Sequence, residues 1–146
     1  MDNMVYKKIK VLLIEDNQAD ARLIRDLLEE SDTITFEIIH TKRLLDGIIF
    51  LEDIDFDVIL LDLDLPDSKG IDTLNKTKSK SKGIPIVILT GSVIQRENIR
   101  KCIDGAERYL VKGYTDSNAL ITNICEAIDE QSSRRLMLSR LHHAEV

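Results

Sequence analysis

Val58-Ile59-Leu60-Leu61-Asp62-Leu63-Asp64-Leu65-Pro66-Asp67-Ser68-Lys69-Gly70 decides how this chain folds. Four apolar residues run into alternating carboxylates, then a proline, then a polar turn closed by glycine. An unbroken apolar run with such flanks reads as a strand buried on both faces. Pro66 cannot donate to a central ladder, so the strand must stop before it. Its acids then stand at the strand's C-terminal mouth, where open α/β sheets bind their ligands.

The same pattern recurs on both sides. Lys10-Val11-Leu12-Leu13-Ile14 is an apolar strand running into Glu15-Asp16-Asn17. Thr33 to Ile39 is rich in β-branched residues and reads as a second strand. The Val58 strand is the third. Gly83-Ile84-Pro85 introduces a fourth, Ile86 to Thr90, and Arg108 to Val111 is a fifth, ending in Lys112-Gly113. Between them, apolar residues recur at helical spacing. The sets are Ala21, Ile24, Leu27 and Leu28, with Asn17 or Asp20 as a cap, and Leu44, Leu45, Ile48 and Ile49. A weaker helix spans Ile71 to about Lys80, and Ile94, Ile99, Cys102, Ile103 and Ala106 support a fourth, with Gly105 as its C-cap. A last helix runs from about Ser117 towards Leu141. Five strand–helix alternations predict a parallel sheet with helices on both faces and right-handed crossovers. Lys76, Lys78, Lys80 and Lys82 read as a solvated helix end.

The 146 residues suffice for one domain with a real core, and no internal repeat or linker divides them. A formal charge of −6 argues against nucleic-acid binding, which needs a basic surface. No apolar run reaches membrane-spanning length, and the MDNMVYKK start lacks a signal-peptide core, so the expected location is cytoplasmic, with no membrane partner. Cys102 and Cys125 are far apart and read as reduced thiols. His40, His142 and His143 have no metal-ligand spacing and read as surface or rim residues.

In a parallel sheet all C-terminal ends point one way. Glu15 and Asp16, Asp62 and Asp64, Thr90 and Lys112 therefore converge on one pocket. Neighbouring carboxylates repel unless a hard cation joins them, and Mg²⁺ is the natural choice. Lys112 adds a fixed positive charge and Thr90 a hydroxyl. Cations and a hydroxyl around one carboxylate suit an incoming phosphoryl group, with the carboxylate as nucleophile.

These pieces, in order and at strand ends, resemble the receiver domain of two-component response regulators over roughly Lys8 to Glu130. The resemblance rests on LIEDN, LLDLDLPDSKG, IPIVILTG and GAERYLVKG. It implies a flavodoxin-like, doubly wound five-stranded parallel sheet in the order 2-1-3-4-5, with five helices. It implies that Asp62 is the phospho-acceptor. Asp16 and Asp62, with the backbone carbonyl of Asp64, would bind Mg²⁺ directly, and Glu15 would act mainly through metal-bound water. Thr90 and Lys112 would contact the phosphoryl oxygens, and the Tyr109 rotamer would report phosphorylation. The chain would be a signalling switch and not an enzyme beyond its own phosphorylation and dephosphorylation. A histidine kinase or phosphotransfer protein would supply the phosphoryl group, and the output partner would meet the fourth helix, fifth strand and fifth helix.

Two positions depart from the family pattern. Gly113 stands where most relatives have proline, commonly cis, so a trans bond and a rearranged loop are expected. Asp64 occupies a position that is often uncharged, and its carboxylate is expected to strengthen metal binding through its field. The competing function is a haloacid-dehalogenase-type phosphatase, in which Asp62-Leu63-Asp64 would be nucleophile and acid. Against it, the motif lies on the third strand and Gly-Thr does not follow it. Residues 1–130 are expected to form the receiver, and 131–146 an extension of the last helix serving homodimerisation or partner docking, or ending as a frayed tail.

Overall fold

The computed structural model describes residues 7–100 and 108–144, without the side chains of 93, 94, 96 and 142–144. In chain order the elements are β1 (Lys8–Ile14), α1 (Gln18–Glu29), β2 (Thr35–Thr41), α2 (Leu44–Asp53), β3 (Val58–Asp62), β4 (Asp64–Leu65) and β5 (Ser68–Lys69). They continue with α3 (Ile71–Lys80), β6 (Ile86–Thr90), α4 (Val93–Arg100), β7 (Arg108–Val111) and α5 (Ser117–Ala144). The main sheet runs β2-β1-β3-β6-β7, every pairing parallel. Counting its strands alone, this is the order 2-1-3-4-5.

Successive side chains of a strand point to opposite faces, and here both faces are covered. Val58 and Leu60 join Val11 and Leu13 beneath α1 and α5. Ile59 and Leu61 join Leu12 and Ile14 against α2, α3 and Ile99 of α4. All five residues of β3 are buried, which is why its sequence does not alternate. The edge strands β2 and β7 are only partly buried and carry the polar residues.

Local chemistry sets the helix ends. The Asn17 side chain caps α1 by accepting the Asp20 N–H at 2.9 Å. Arg43, at the N-cap of α2, makes no such bond. The Asp67 carboxylate replaces it across space, accepting the N–H groups of Leu44 and Leu45 at 2.9 and 3.0 Å. Gly47 sits inside α2 because a Cβ there would come within 2.5 Å of Ile14 Cδ1 on β1.

Several boundaries refine the sequence reading. The second strand is Thr35–Thr41, and Leu45 and Ile49 of α2 face solvent. The polar turn after β3 is an antiparallel hairpin pairing Asp64 with Lys69. The four lysines near the end of α3 are exposed. Cys125 is partly buried against the core, whereas Cys102, Ile103, Gly105 and Ala106 lie outside the described residues.

Candidate functional site

The strands deliver their acids to one cleft of about 260 Å³, lined by Glu15, Asp16, Asn17, Asp20, Asp62, Asp64, Gly91, Gln95 and Lys112. That is room for roughly eight water volumes. Ligand atoms of Glu15, Asp16 and Asp62 all lie within 4.8 Å of one another. An all-oxygen donor set of this kind fits a hard divalent cation such as Mg²⁺.

Glu15 is fully buried. Its backbone is pinned from β2: its N–H donates to Thr41 O at 3.0 Å, and its carbonyl accepts His40 Nε2–H at 2.7 Å. The Lys112 ammonium binds three carboxylates, Glu15 at 2.7 Å, Asp20 at 3.1 Å and Asp62 at 3.5 Å. Burial, then the neighbouring Asp62 carboxylate, push the Glu15 pKa from 4.5 up to about 7 against the pull of Lys112 and the Asn17 N–H. Burial works against the charge on Lys112, but Glu15, Asp62 and Asp20 overcome it and raise its pKa well above the ordinary lysine value. The cleft thus holds one permanent cation and one carboxyl poised near neutrality.

Asp62 is 5% exposed, and its Oδ1 accepts the Asp64 N–H at 3.0 Å. Asp64 itself is exposed at the rim, where its carboxylate accepts a 2.7 Å bond from Lys69 across the hairpin. Thr90 lies just beneath the cleft. Its hydroxyl is fully buried and directed to the carbonyls of Ser92 and Leu110 at 3.3 and 3.4 Å. Tyr109 is half-buried against the β3 and β6 side chains on the α2–α3 face. No cis peptide occurs among the described residues, and Gly113 turns the chain with φ of 85°. A left-handed φ suits glycine and excludes proline.

Four lining residues, Asn17, Asp20, Gly91 and Gln95, escaped the sequence reading as site residues. Asp20, weighed there only as a cap, reaches Lys112 because one helical turn separates it from Asn17. Gln95 lies at the start of α4, and its Oε1 accepts the Gly91 N–H at 2.6 Å while the Ser92 hydroxyl accepts the Gln95 N–H at 3.1 Å. The Ser-x-x-Gln spacing of a capping box was the available signal.

The comparisons with known proteins agree with this geometry. The family model of the response regulator receiver domain matches residues 11–125. The cell cycle transcriptional regulator CtrA of Caulobacter vibrioides is 35% identical over 106 residues, which is 73% of this chain and 45% of CtrA. The chain therefore spans less than half the length of that relative. Among solved structures, a CheY-like receiver domain protein from Methanospirillum hungatei aligns with a TM-score of 0.68 and 24% identity, covering 88% of this chain and 98% of that one. The receiver domain of a Pseudomonas aeruginosa sensor histidine kinase, described with a magnesium ion coordinated in its active site cleft, aligns with a TM-score of 0.68 and 22% identity over 84% of this chain and 98% of its own. The two structures establish the fold alone. The phosphatase reading is not favoured, since the acids beside Asp62 come from β1 and Asp64 is held by Lys69. From the family match and the CtrA similarity, the chain belongs to the response regulator receiver domain family.

Proposed function

We propose that the chain is a phosphorylation-dependent switch that accepts a phosphoryl group on Asp62. The observation that carries this reading is a buried carboxylate at a strand mouth, 3.5 Å from a lysine ammonium and within 4.8 Å of two further acids. Glu15, Asp16 and Asp62, with the Asp64 carbonyl, would hold Mg²⁺, whose charge when bound would offset that of the phosphoryl oxygens. Asp62 attacks phosphorus on a phosphohistidine of a kinase or phosphotransfer protein. The new O–P bond forms as the P–N bond breaks, and the imidazole leaves with the bonding pair. Lys112 orients the Asp62 carboxylate and meets a phosphoryl oxygen. The Thr90 hydroxyl, held by two long and therefore weak bonds, turns to another oxygen at small cost.

Tyr109 lies on β7 beside Ile88, two residues before Thr90 on β6. A shift of Thr90 would thus change the space open to Tyr109 and carry the signal to the α4–β7–α5 face. Partner choice there would follow from the differing affinity of the two states. The similarity to CtrA supports, for a longer protein containing this segment, transcriptional control as one output. Residues beyond Gln131 would extend the receiver as an interaction arm. No described helix is long and apolar enough to cross a membrane, and the proposed setting is the cytoplasm.

The test is treatment with phosphoramidate and Mg²⁺, followed by intact-mass measurement. One phosphoryl mass is expected on the wild type. Equal labelling of Asp62→Asn, or labelling unaffected by EDTA, would contradict the reading.

A further inference from the structure

The far end of α5 and the outer face of α2 are complementary. Beyond Gln131, α5 is exposed on nearly every side. Arg134, Met137, Leu138 and Leu141 fall on one stripe at i, i+3, i+4 and i+7, and the last three are 65%, 66% and 56% exposed. From Gln131 to Ala144 the chain carries three arginines and no carboxylate. On α2, Leu45 and Ile49 are 61% and 50% exposed. Glu52 and Asp53 continue that stripe at i+7 and i+8. These two acids stand at the negative end of the helix dipole, and no basic residue lies in that last turn. One surface is apolar with a cation at its start, and the other is apolar with uncompensated acids at its end.

We propose that a second copy of this chain lays its α5 extension antiparallel on α2. Seven residues separate Arg134 from Leu141 and Leu45 from Glu52, about 10 Å in each helix. In antiparallel register Arg134 meets Glu52 and Asp53, Met137 and Leu138 meet Ile49, and Leu141 meets Leu45. The same chain does not supply the contact. α5 packs with α1 on one face of the sheet and α2 lies on the other. The extension remains helical past Gly83, whose carbonyl accepts a 3.4 Å bond from Arg135. Two extensions meeting each other between Gln131 and Ala144 would bring only like charges together. An anionic lipid surface would repel the rest of the molecule: three arginines and one glutamate lie from 131 onward, so residues 1–130 carry −8 of the total −6. Two-fold symmetry gives two identical contacts per dimer.

Sedimentation velocity of the full chain at micromolar concentrations tests this. A dimer weakened by high salt is expected, because rim charge pairs are screened. Asp53→Arg and Arg134→Glu should each weaken the dimer tenfold or more, with unchanged circular dichroism. An equimolar mixture of the two variants should restore it, since both contacts of the mixed dimer are again matched. A wild type that stays monomeric overturns the proposal. So does a dimer indifferent to Asp53→Arg, whatever Arg134→Glu does, since α2 is then not the surface that is met. A monomer that binds phosphatidylserine vesicles overturns it in favour of a membrane.

Discussion

Two lysine–carboxylate contacts at the cleft have the same length, 2.7 Å, and differ in almost everything else. Lys112–Glu15 joins a side chain 12% exposed to one that is 0% exposed. Lys69–Asp64 joins two that are 68% and 67% exposed. In the first pair, removing one partner strands charge away from water. In the second, water and salt replace whichever partner is removed. Distance alone does not rank ion pairs; the surroundings do.

The largest difference should come from Lys112→Met. It keeps the stem but leaves Glu15, Asp20 and Asp62 without their shared cation. A loss of about 4 kcal/mol at pH 8 is expected in urea unfolding with EDTA present. The loss should be smaller at pH 5, where Glu15 takes a proton. A change under 1 kcal/mol at pH 8 would place Lys112 with the surface lysines.

Next is the pH dependence of the wild type without divalent ions. The Glu15 pKa rises from 4.5 to about 7 on folding, so its contribution is complete below the lower value and is lost as pH climbs through the higher one. Stability should fall across pH 5 to 8 by up to about 3 kcal/mol. Mg²⁺ should flatten the slope by favouring the ionised carboxylate, with proton release on binding that is measurable by calorimetry in buffers of different ionisation enthalpy. Stability rising over that window without metal would contradict the assignment. Asp67, whose two backbone N–H bonds outweigh its burial and hold its pKa below the ordinary value, acts oppositely and only at the acid end.

A third variant separates position from charge. Gly113→Pro leaves Lys112 in place but forbids the φ of 85° beside it. At least about 1 kcal/mol of destabilisation is expected, with a lower yield of phosphorylated protein. Unchanged melting would mean that the loop accepts the proline of other family members without strain.

The smallest effect belongs to the exposed pair. From sequence alone, Asp64 is expected to raise Mg²⁺ affinity about fivefold to tenfold through its field. Lys69, 2.7 Å away and as exposed as Asp64, would offset part of that field. Asp64→Asn should therefore change Mg²⁺ affinity by no more than about twofold, and Lys69→Met should raise it slightly. A tenfold loss in Asp64→Asn would restore the unpaired picture.

The Lys69–Asp64 pair shows where the sequence could be read and where it could not. β1, β3 and β6 are legible because burial on both faces forces continuous apolar runs, and the acids that end two of them interrupt those runs abruptly. Asp62, Glu15 and Lys112 could be grouped because parallel strands share one end. Lys69 could not be paired with Asp64, nor Asp67 with the N-terminus of α2, because both depend on the register of a hairpin of two-residue strands. Such strands are too short to show periodicity. Gly47 was silent for a related reason, since its requirement comes from Ile14 on another element.

The central claim is that the buried carboxylate, and not the exposed one two residues later, carries the phosphoryl group. Phosphorylated protein can be reduced with borohydride, which converts an aspartyl phosphate to homoserine, and the peptides spanning residues 11–22 and 58–69 then sequenced by mass spectrometry. Homoserine at position 62, with Asp64 and Asp16 intact, is the result this account predicts. Homoserine at 64 or 16, with Asp62 intact, would contradict it.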